Sequence, residues 1–237
     1  MIVRLDKMLA HLGYGSRKEV KLLIRKGEVI VNDTIIYDDD FKVDSDLDEV
    51  IVYDEEVTYS EFVYIMLNKP QDYVSATYDN KYKTVIDLVS DYASYKIFPV
   101  GRLDIDSVGL LLITNDGKLC HQLLSPKSHV DKKYYVEFSG DFIDSYYKNF
   151  EKGIKLDDGY VTMPSKVELI EKDKAYITIH EGKFHQVKRM FEALNMKVTY
   201  LKRVTFGSLI LDDNLKEGEY RLLSEDEILK LKENGNR

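Results

Sequence analysis

Residues 101–117 read GRLDIDSVGLLLITNDG, and the fold turns on how that stretch divides. GLLLIT (109–114) is a continuous apolar run of strand length. Asn115-Asp116-Gly117 reads as a turn, and KLCHQLLS (118–125) as a helix that Pro126 should end. Two carboxylates, Asp104 and Asp106, stand just ahead of the run, with Arg102 two residues before the first. Aspartates before a strand ordinarily serve turns. On the residues alone Asp104 is open to that reading and to chemistry, whereas Asp106 reads as a turn or N-cap acid and Asp116 as a turn acid.

Outward from this stretch the chain alternates strands and helices. FVYIMLN (62–68) is a strand stopping at Lys69-Pro70, and KKYYVEF (132–138) and KAYITIH (174–180) alternate as half-buried strands. KTVIDLVSDYA (83–93) is a helix candidate with Val85, Leu88 and Val89 on one side. FHQVKRMFEAL (184–194) is an amphipathic helix that turns Val187, Met190, Phe191 and Leu194 inward. SEDEILKLKEN (224–234) closes the chain as a helix capped by Ser224 and Glu227. The expected class is α+β with a mainly antiparallel mixed sheet flanked by helices.

The N-terminal residues have a different texture. RLDKMLAHL (4–12) spaces Leu5, Met8, Leu9 and Leu12 as a helix, and Gly13 and Gly15 follow. Ser16 with Glu19 three residues on is a capping box that starts a second helix at Arg17, which Gly27 should stop. Arg17, Lys21 and Arg25 lie four apart along one side, with Lys18 and Lys26 beside them. GEVIVNDTII (27–36) predicts a hairpin about Asn32-Asp33, and DEVIVYD (48–54) a further strand. A small domain over 1–58 and a larger one over 62–237 is the organisation this implies, with a strand and linker in the acidic stretch 38–61.

Charge separates these parts as well. The whole chain carries −8, which by itself argues against a nucleic-acid partner. Yet residues 1–34 hold seven Lys/Arg against four Asp/Glu, and residues 35–61 hold Lys42 alone against eleven acids. Residues 180–206 hold six basic side chains against two acidic ones, plus His180 and His185. Two basic islands therefore flank an acidic bridge. The single cysteine, Cys120, excludes an intrachain disulfide. The start MIVRLDKMLA is charged too early for a secretory signal, and no apolar run approaches about 18 residues, so a cytoplasmic location is expected.

Motif searches remove most chemistries. His11, His121, His129, His180 and His185 form no HxxxH pair, no further ligand completes a metal shell about Asp104 and Asp106, and no GxxxxGK[ST], GxGxxG or GxSxG is present. A site without metal or cofactor is the expectation, built from carboxylate, base, phenol and guanidinium. A carboxylate-pair nuclease or glycosidase is disfavoured by placing Asp104 and Asp106 on opposite sides of an extended segment.

The segment 3–36, VRLDKMLAHLGYGSRKEVKLLIRKGEVIVNDTII, resembles the S4 RNA-binding domain. The resemblance implies that Arg4, Lys7, Arg17, Lys18, Lys21 and Arg25 contact RNA phosphates. GRLDIDSVGLLLITNDG is similar to the GRLDxxTxGLLxxTNDG signature of the bacterial ribosomal RNA pseudouridine synthases. The order S4-like domain, LNKP, GRLD, KxY and EGxxxQVKRM also matches that family. Asp72 stands where the family has glycine, and Ser107 where it has threonine. HQVKRMFEAL together with GRLDID is most similar to members that modify small-subunit (16S) RNA; an enzyme for large-subunit (23S) RNA and a non-catalytic assembly factor are the alternatives.

The resemblance implies isomerisation of uridine to pseudouridine without a cofactor, on ribosomal RNA or a partly assembled small subunit, by a monomer. It maps the essential aspartate to Asp104 and its basic partner to Lys188, with Arg189 the other assignment. Tyr134 of KxY is implied to stack on uracil, and Arg102, Arg189, Lys69 and Gln186 to contact substrate. A buried carboxylate favours its neutral form, and a cation beside it restores the charge. Bond exchange at the sugar also requires the nucleotide to leave the stack.

Overall fold

The computed structural model describes residues 1–125 and 128–235, and the Pro126 expected to stop a helix lies outside them. The chain forms two compact units, Met1–Val63 with Ser90–Ile97, and Tyr64–Val89 with Phe98–Arg237. The sequence reading ends the first domain at 58. The compact unit instead runs to Val63 and takes in 90–97, where Tyr95 stacks on Tyr59 at 6.5 Å and the Ser94 hydroxyl donates to the His11 carbonyl.

In the first unit, strand β1 (Ile2–Arg4) leads into helix α1 (Leu5–His11), and helix α2 (Arg17–Arg25) follows. Ser16 and Glu19 make the reciprocal capping box at the start of α2. Strands β2 (Val29–Val31) and β3 (Thr34–Ile35) form the hairpin, and Asn32 and Asp33 both take positive φ, 47° and 62°, as a two-residue turn of the right twist demands. β4 (Lys42–Asp44) pairs with β1, while β5 (Val50–Val52) and β6 (Glu55–Glu56) extend the hairpin into a four-stranded sheet. Leu5, Met8, Leu9, Val20, Ile24 and Val29 form its core.

The second unit is organised on β7 (Tyr64–Lys69) and β9 (Val108–Thr114), thirteen residues of which every one is buried. Each fully buried Leu or Ile there contributes about 1.5–3 kcal/mol. Together with β8 (Phe98–Pro99), helix α3 (Gly117–Leu124), β10 (Lys132–Ser139), helix α4 (Ser145–Lys152), β11 (Lys166–Glu171), β12 (Lys174–Ile179), helix α5 (Gln186–Glu192), β13 (Lys197–Phe206), β14 (Leu209–Ile210), β15 (Tyr220–Leu222) and helix α6 (Glu225–Gly235), they complete the element order. The sheet runs β11-β12-β10-β13-β9-β7-β15, with β14 on β13 and β8 on β9. Among the described residues only the β13–β9 neighbours in this sheet are parallel, so the sheet is mixed and mainly antiparallel. On one side Leu119, Leu123 and Leu231 pack with Met66, Leu110 and Leu112. Elsewhere Phe138, Phe150 and Phe191 form a ring cluster at 5.2–5.5 Å.

Asp116, read as a turn acid, caps α3 by accepting from the Leu119 amide and also accepts from the buried Tyr64 hydroxyl. The helix expected over 83–93 is a correction. Residues 83–85 are extended against Val74, Asp87 accepts from the Thr84 amide, and 3₁₀ turns occupy Asp87–Tyr95 with a break at Val89 (φ −126°, ψ 34°). The apolar spacing of Val85 and Val89 reflects two separate burials, not one helix face.

The parallel contact is short, Lys202 against Val108 and Arg203 against Gly109. A Cβ on Gly109, whose φ is +101°, would lie 2.3 Å from the Arg203 carbonyl oxygen and 2.8 Å from its nitrogen. Gly109→Ala is expected to cost more than about 2 kcal/mol through backbone strain and overpacking, read as a lower urea midpoint at unchanged m value.

Candidate active site

The loop from Gly101 to Ser107 joins β8 to β9 and is held from below by a buried ammonium. Lys69 ends β7 with no exposed surface, and its Nζ donates to the carbonyls of Pro70 (2.9 Å), Asp104 (3.1 Å), Ile105 (3.4 Å) and Ser107 (2.8 Å). Burial pushes this amine down to about 8, against the opposing pull of the Asp106 and Asp104 charges. Lys69, expected among the substrate contacts, is thus a positioning residue. The Asp72 amide donates to the Ile105 carbonyl at 2.9 Å, and Asp72 adopts a left-handed φ of 66°. Ser75 Oγ accepts from the Leu103 amide and donates to the Leu103 carbonyl, both at 3.0 Å.

So constrained, the loop is not extended at 104–107: the Ser107 amide closes back on the Asp104 carbonyl at 3.0 Å. That turn corrects the placement of Asp104 and Asp106 on opposite sides. Both carboxylates reach one cation, Lys188 on the first turn of α5, at 3.1 Å for Asp104 Oδ2 and 2.6 Å for Asp106 Oδ1. For Lys188, burial opposes the charge, but the hydrogen bond to Asp106 and the charge of Asp104 outweigh it and raise its pKa. For Asp106, burial likewise opposes ionisation, and the Lys188 hydrogen bond and charge prevail to hold it below the usual carboxylate range. Arg189 does not join them; it binds Asp157 at 2.7 Å through Nε and Asp158 at 2.7 Å through Nη2. Of the two assignments, Lys188 is the residue paired with Asp104.

Asp104 lines a cavity of about 670 Å³ together with Arg102, Lys132, Tyr134, His185 and Arg203. Tyr134 is buried on β10, directly across the ladder from Arg203 on β13. Arg203 is an element the sequence reading missed. It is 1% exposed, donates from Nε to the Leu110 carbonyl at 2.7 Å, and its Nη2 has no hydrogen-bond partner among the described residues. Lys132 Nζ donates to the Val130 carbonyl at 2.8 Å, and burial, aided by the Arg203 charge, pushes it down to about 8. Gln186 lines the same cavity but is buried and committed, accepting from the Lys183 amide and donating to Glu181 at 2.8 Å. Glu181 also accepts from the Tyr160 hydroxyl and the Met163 amide. Arg102 is exposed and makes no ion pair among the described residues. No group of three His, Cys, Asp or Glu side chains among the described residues is placed to hold a metal, and no described helix is long and apolar enough to cross a membrane.

The basic face of the first unit is present but engaged. The fully buried Asp6 accepts from Arg4 at 3.0 Å and Arg17 at 2.8 Å; burial opposes its charge, yet these two hydrogen bonds hold its pKa low. Asp39 pairs with Arg25 at 2.5 Å, Asp40 pairs with Arg4, and Lys21 lies 3.7 Å from both Asp39 and Asp40. Lys7 binds Glu61 at 2.7 Å, and Lys18 has no carboxylate within 4 Å among the described residues. Of the expected phosphate contacts, Arg4 and Arg17 are held by Asp6 of α1, and Arg4, Lys21 and Arg25 by Asp39 and Asp40, where the acidic stretch folds back on them.

The site thus holds a paired carboxylate on a knitted loop, over a cavity with a buried tyrosine and two inner cations. The RNA pseudouridylate synthase family model matches residues 63–193, and the S4 domain model matches residues 3–48. The chain belongs to the RNA pseudouridylate synthase family and carries an S4 domain ahead of the enzyme fold. It is 46% identical to the uncharacterized RNA pseudouridine synthase YtzG of Bacillus subtilis over 98% of this chain and 99% of that one. It is 38% identical to ribosomal small subunit pseudouridine synthase A of Vibrio cholerae (95% and 98% covered) and 37% identical to ribosomal large subunit pseudouridine synthase B of Bacillus subtilis (97% and 95%). A crystal structure of a pseudouridylate synthase superposes with a TM-score of 0.68 at 38% identity, covering 97% of this chain and 99% of that one.

Replacing the buried amine tests the loop scaffold. Lys69→Met leaves four carbonyls without their donor and is expected to cost at least about 1–3 kcal/mol, with activity falling further than stability. In the parent protein, activity should decline as pH passes about 8, since a neutral amine offers two hydrogens to four carbonyls. The linkage has the opposite sign: the unfolded chain binds the proton up to the ordinary 10.5, so this group adds stability between about 8 and 10.5. Circular dichroism across that interval should show a folded protein while activity drops.

Proposed function

We propose that this chain converts a uridine of small-subunit ribosomal RNA to pseudouridine, with Asp104 as the reacting carboxylate. The observation that carries the reading is the Lys188–Asp104 ion pair at 3.1 Å on the wall of the cavity. In the reaction the N1–C1′ bond breaks, uracil rotates, C5 bonds to C1′, and the C5 proton is lost as N1 gains one. No electrons enter or leave. A negative oxygen is required whether it adds to C1′, adds to the uracil ring or removes a sugar proton, and Lys188 supplies the countercharge for it. Tyr134 packs on the extruded uracil and takes the C5 proton, while Arg102 holds its phosphate.

The small-subunit target is supported by the resemblance of GRLDID and HQVKRMFEAL and by relatives named for that subunit. A relative named for the large subunit is nearly as similar. Reverse-transcription mapping of both RNAs after incubation decides between them, with a new pseudouridine expected in the small-subunit RNA. Asp104→Asn should abolish the product, Lys188→Met should lower the rate at least about a hundredfold, and Arg189→Lys should change it little. A parent rate in Asp104→Asn sinks the assignment; product in neither RNA from the parent protein favours a non-catalytic assembly factor.

We further read the S4 unit as an RNA-binding face in which phosphates displace Asp39 and Asp40 from Lys21, Arg25 and Arg4. Binding should weaken steeply with salt despite the net charge of −8. The double variant Asp39→Asn, Asp40→Asn should bind RNA more tightly at low salt. Its log K against log salt slope should match the parent's, because the same cations meet phosphate in both complexes. Equal affinity of parent and variant at low salt overturns the displacement.

A further inference from the structure

A second cavity, of about 430 Å³, lies beside the first, and Asp104 belongs to the wall of both. Arg102, Leu103, Phe184 and His185 are the other residues the two share. Val74, Ser75, Ala76, Asp79 and Ile105 complete the second space. The shared wall ends in an unusual tip: the rings of Phe184 and His185 stack at 3.8 Å and 18°, although Phe184 is 69% exposed.

The backbone there is strained. His185 is left-handed at φ 49°, ψ 31°, at the start of α5, and its side chain makes no cap hydrogen bond. Such strain persists only where surrounding structure imposes it, and it collects at ligand-binding positions. Here the neighbouring constraint is Gln186, which accepts from the Lys183 amide at 2.9 Å and closes the turn beneath the tip. The result is an aromatic plate presented to solvent, with its inner face taken by His185 and its outer face open. Beside it stands Arg102, a cation with no carboxylate partner among the described residues.

We propose that the second cavity receives the nucleobase adjacent to the target uridine, stacked on Phe184, while Arg102 holds the phosphate that joins the two nucleotides. The inference rests on the reading that uridine in RNA enters the first cavity. An exposed ring beside a free arginine is the chemistry by which single-stranded RNA is gripped: every base has a π face to offer, and the phosphate supplies the charge. The volume lies within the usual range for small-ligand pockets, about 300–1,000 Å³. Asp104 is then flanked by two occupied spaces, and the reacting uridine is fixed from its neighbour as well as through its own base.

The test uses the full chain and an RNA carrying 2-aminopurine in turn at the positions before and after the mapped uridine. With the parent protein, stacking should quench fluorescence at one of the two positions. Phe184→Ala, and Phe184→Leu as a variant that keeps apolar bulk without a ring, should restore it; the side chain is exposed, so both should fold as the parent does. The same variants should lose about tenfold in conversion of intact RNA and nothing on an RNA that is abasic at the quenched position. Equal fluorescence in parent and variants at both positions overturns the subsite, as does an equal loss of conversion on intact and abasic RNA. Failure of the first-cavity reading looks different, because the parent protein then makes no pseudouridine on either RNA.

Discussion

The buried ammonium of Lys69 is the contact on which the site depends. A charge with no exposed surface is costly unless it is fully hydrogen-bonded, and here it is bonded only to backbone carbonyls, three of them from the loop that carries Asp104. Carbonyls that belong to no strand ladder need donors, and one lysine at the end of a buried strand meets that need at several residues at once. The turn at 104–107 follows from this arrangement, and so does the convergence of Asp104 and Asp106 on Lys188. Rigid strands below and a knitted loop above hold the Asp104 carboxylate more tightly than a free loop would.

Asp106 and Asp6 play parallel parts in the two units. Each is an acid that shares a cation with a second group: Lys188 between Asp104 and Asp106, Arg4 between Asp6 and Asp40. In the enzyme unit the two carboxylates share Lys188 directly, and the charge of the buried Lys69 also acts on both. In the S4 unit such sharing explains how a chain of net charge −8 contains an RNA-binding module. The acids that dominate the total are partly spent on basic side chains of the same unit.

Reading the sequence located most strands and helices because their signals are local. Continuous apolar runs marked β7 and β9, alternation marked β10 and β12, and a Ser-x-x-Glu box marked the start of α2. It failed over 83–93, where helical spacing of valines was produced by an extended segment and a 3₁₀ turn buried separately. It also gave Lys69 a substrate contact, since a lysine next to proline carries no mark of burial, and it passed over Arg203, which looks like any basic residue of a strand.

What the sequence by itself determined is the set of reactive groups and their order along the chain: an S4 module, then GRLD, KxY and QVKRM, with Asp104 as the residue of interest. The strands and helices follow from composition and spacing, while the module, the motif order and the weight on Asp104 follow from the resemblance to the family, and both survive without coordinates. The tertiary structure alone decided which charges meet. Lys188 lies 84 positions from Asp104 and Lys69 lies 35, so their pairing depends on how the sheet brings β7, β9 and α5 together, and no local pattern encodes that. The same holds for the shared wall of the two cavities, where residues near 74, 102 and 184 are neighbours in space though far apart along the chain, and hydrogen bonds from Ser75 and Lys69 fix the part of it at 103–107.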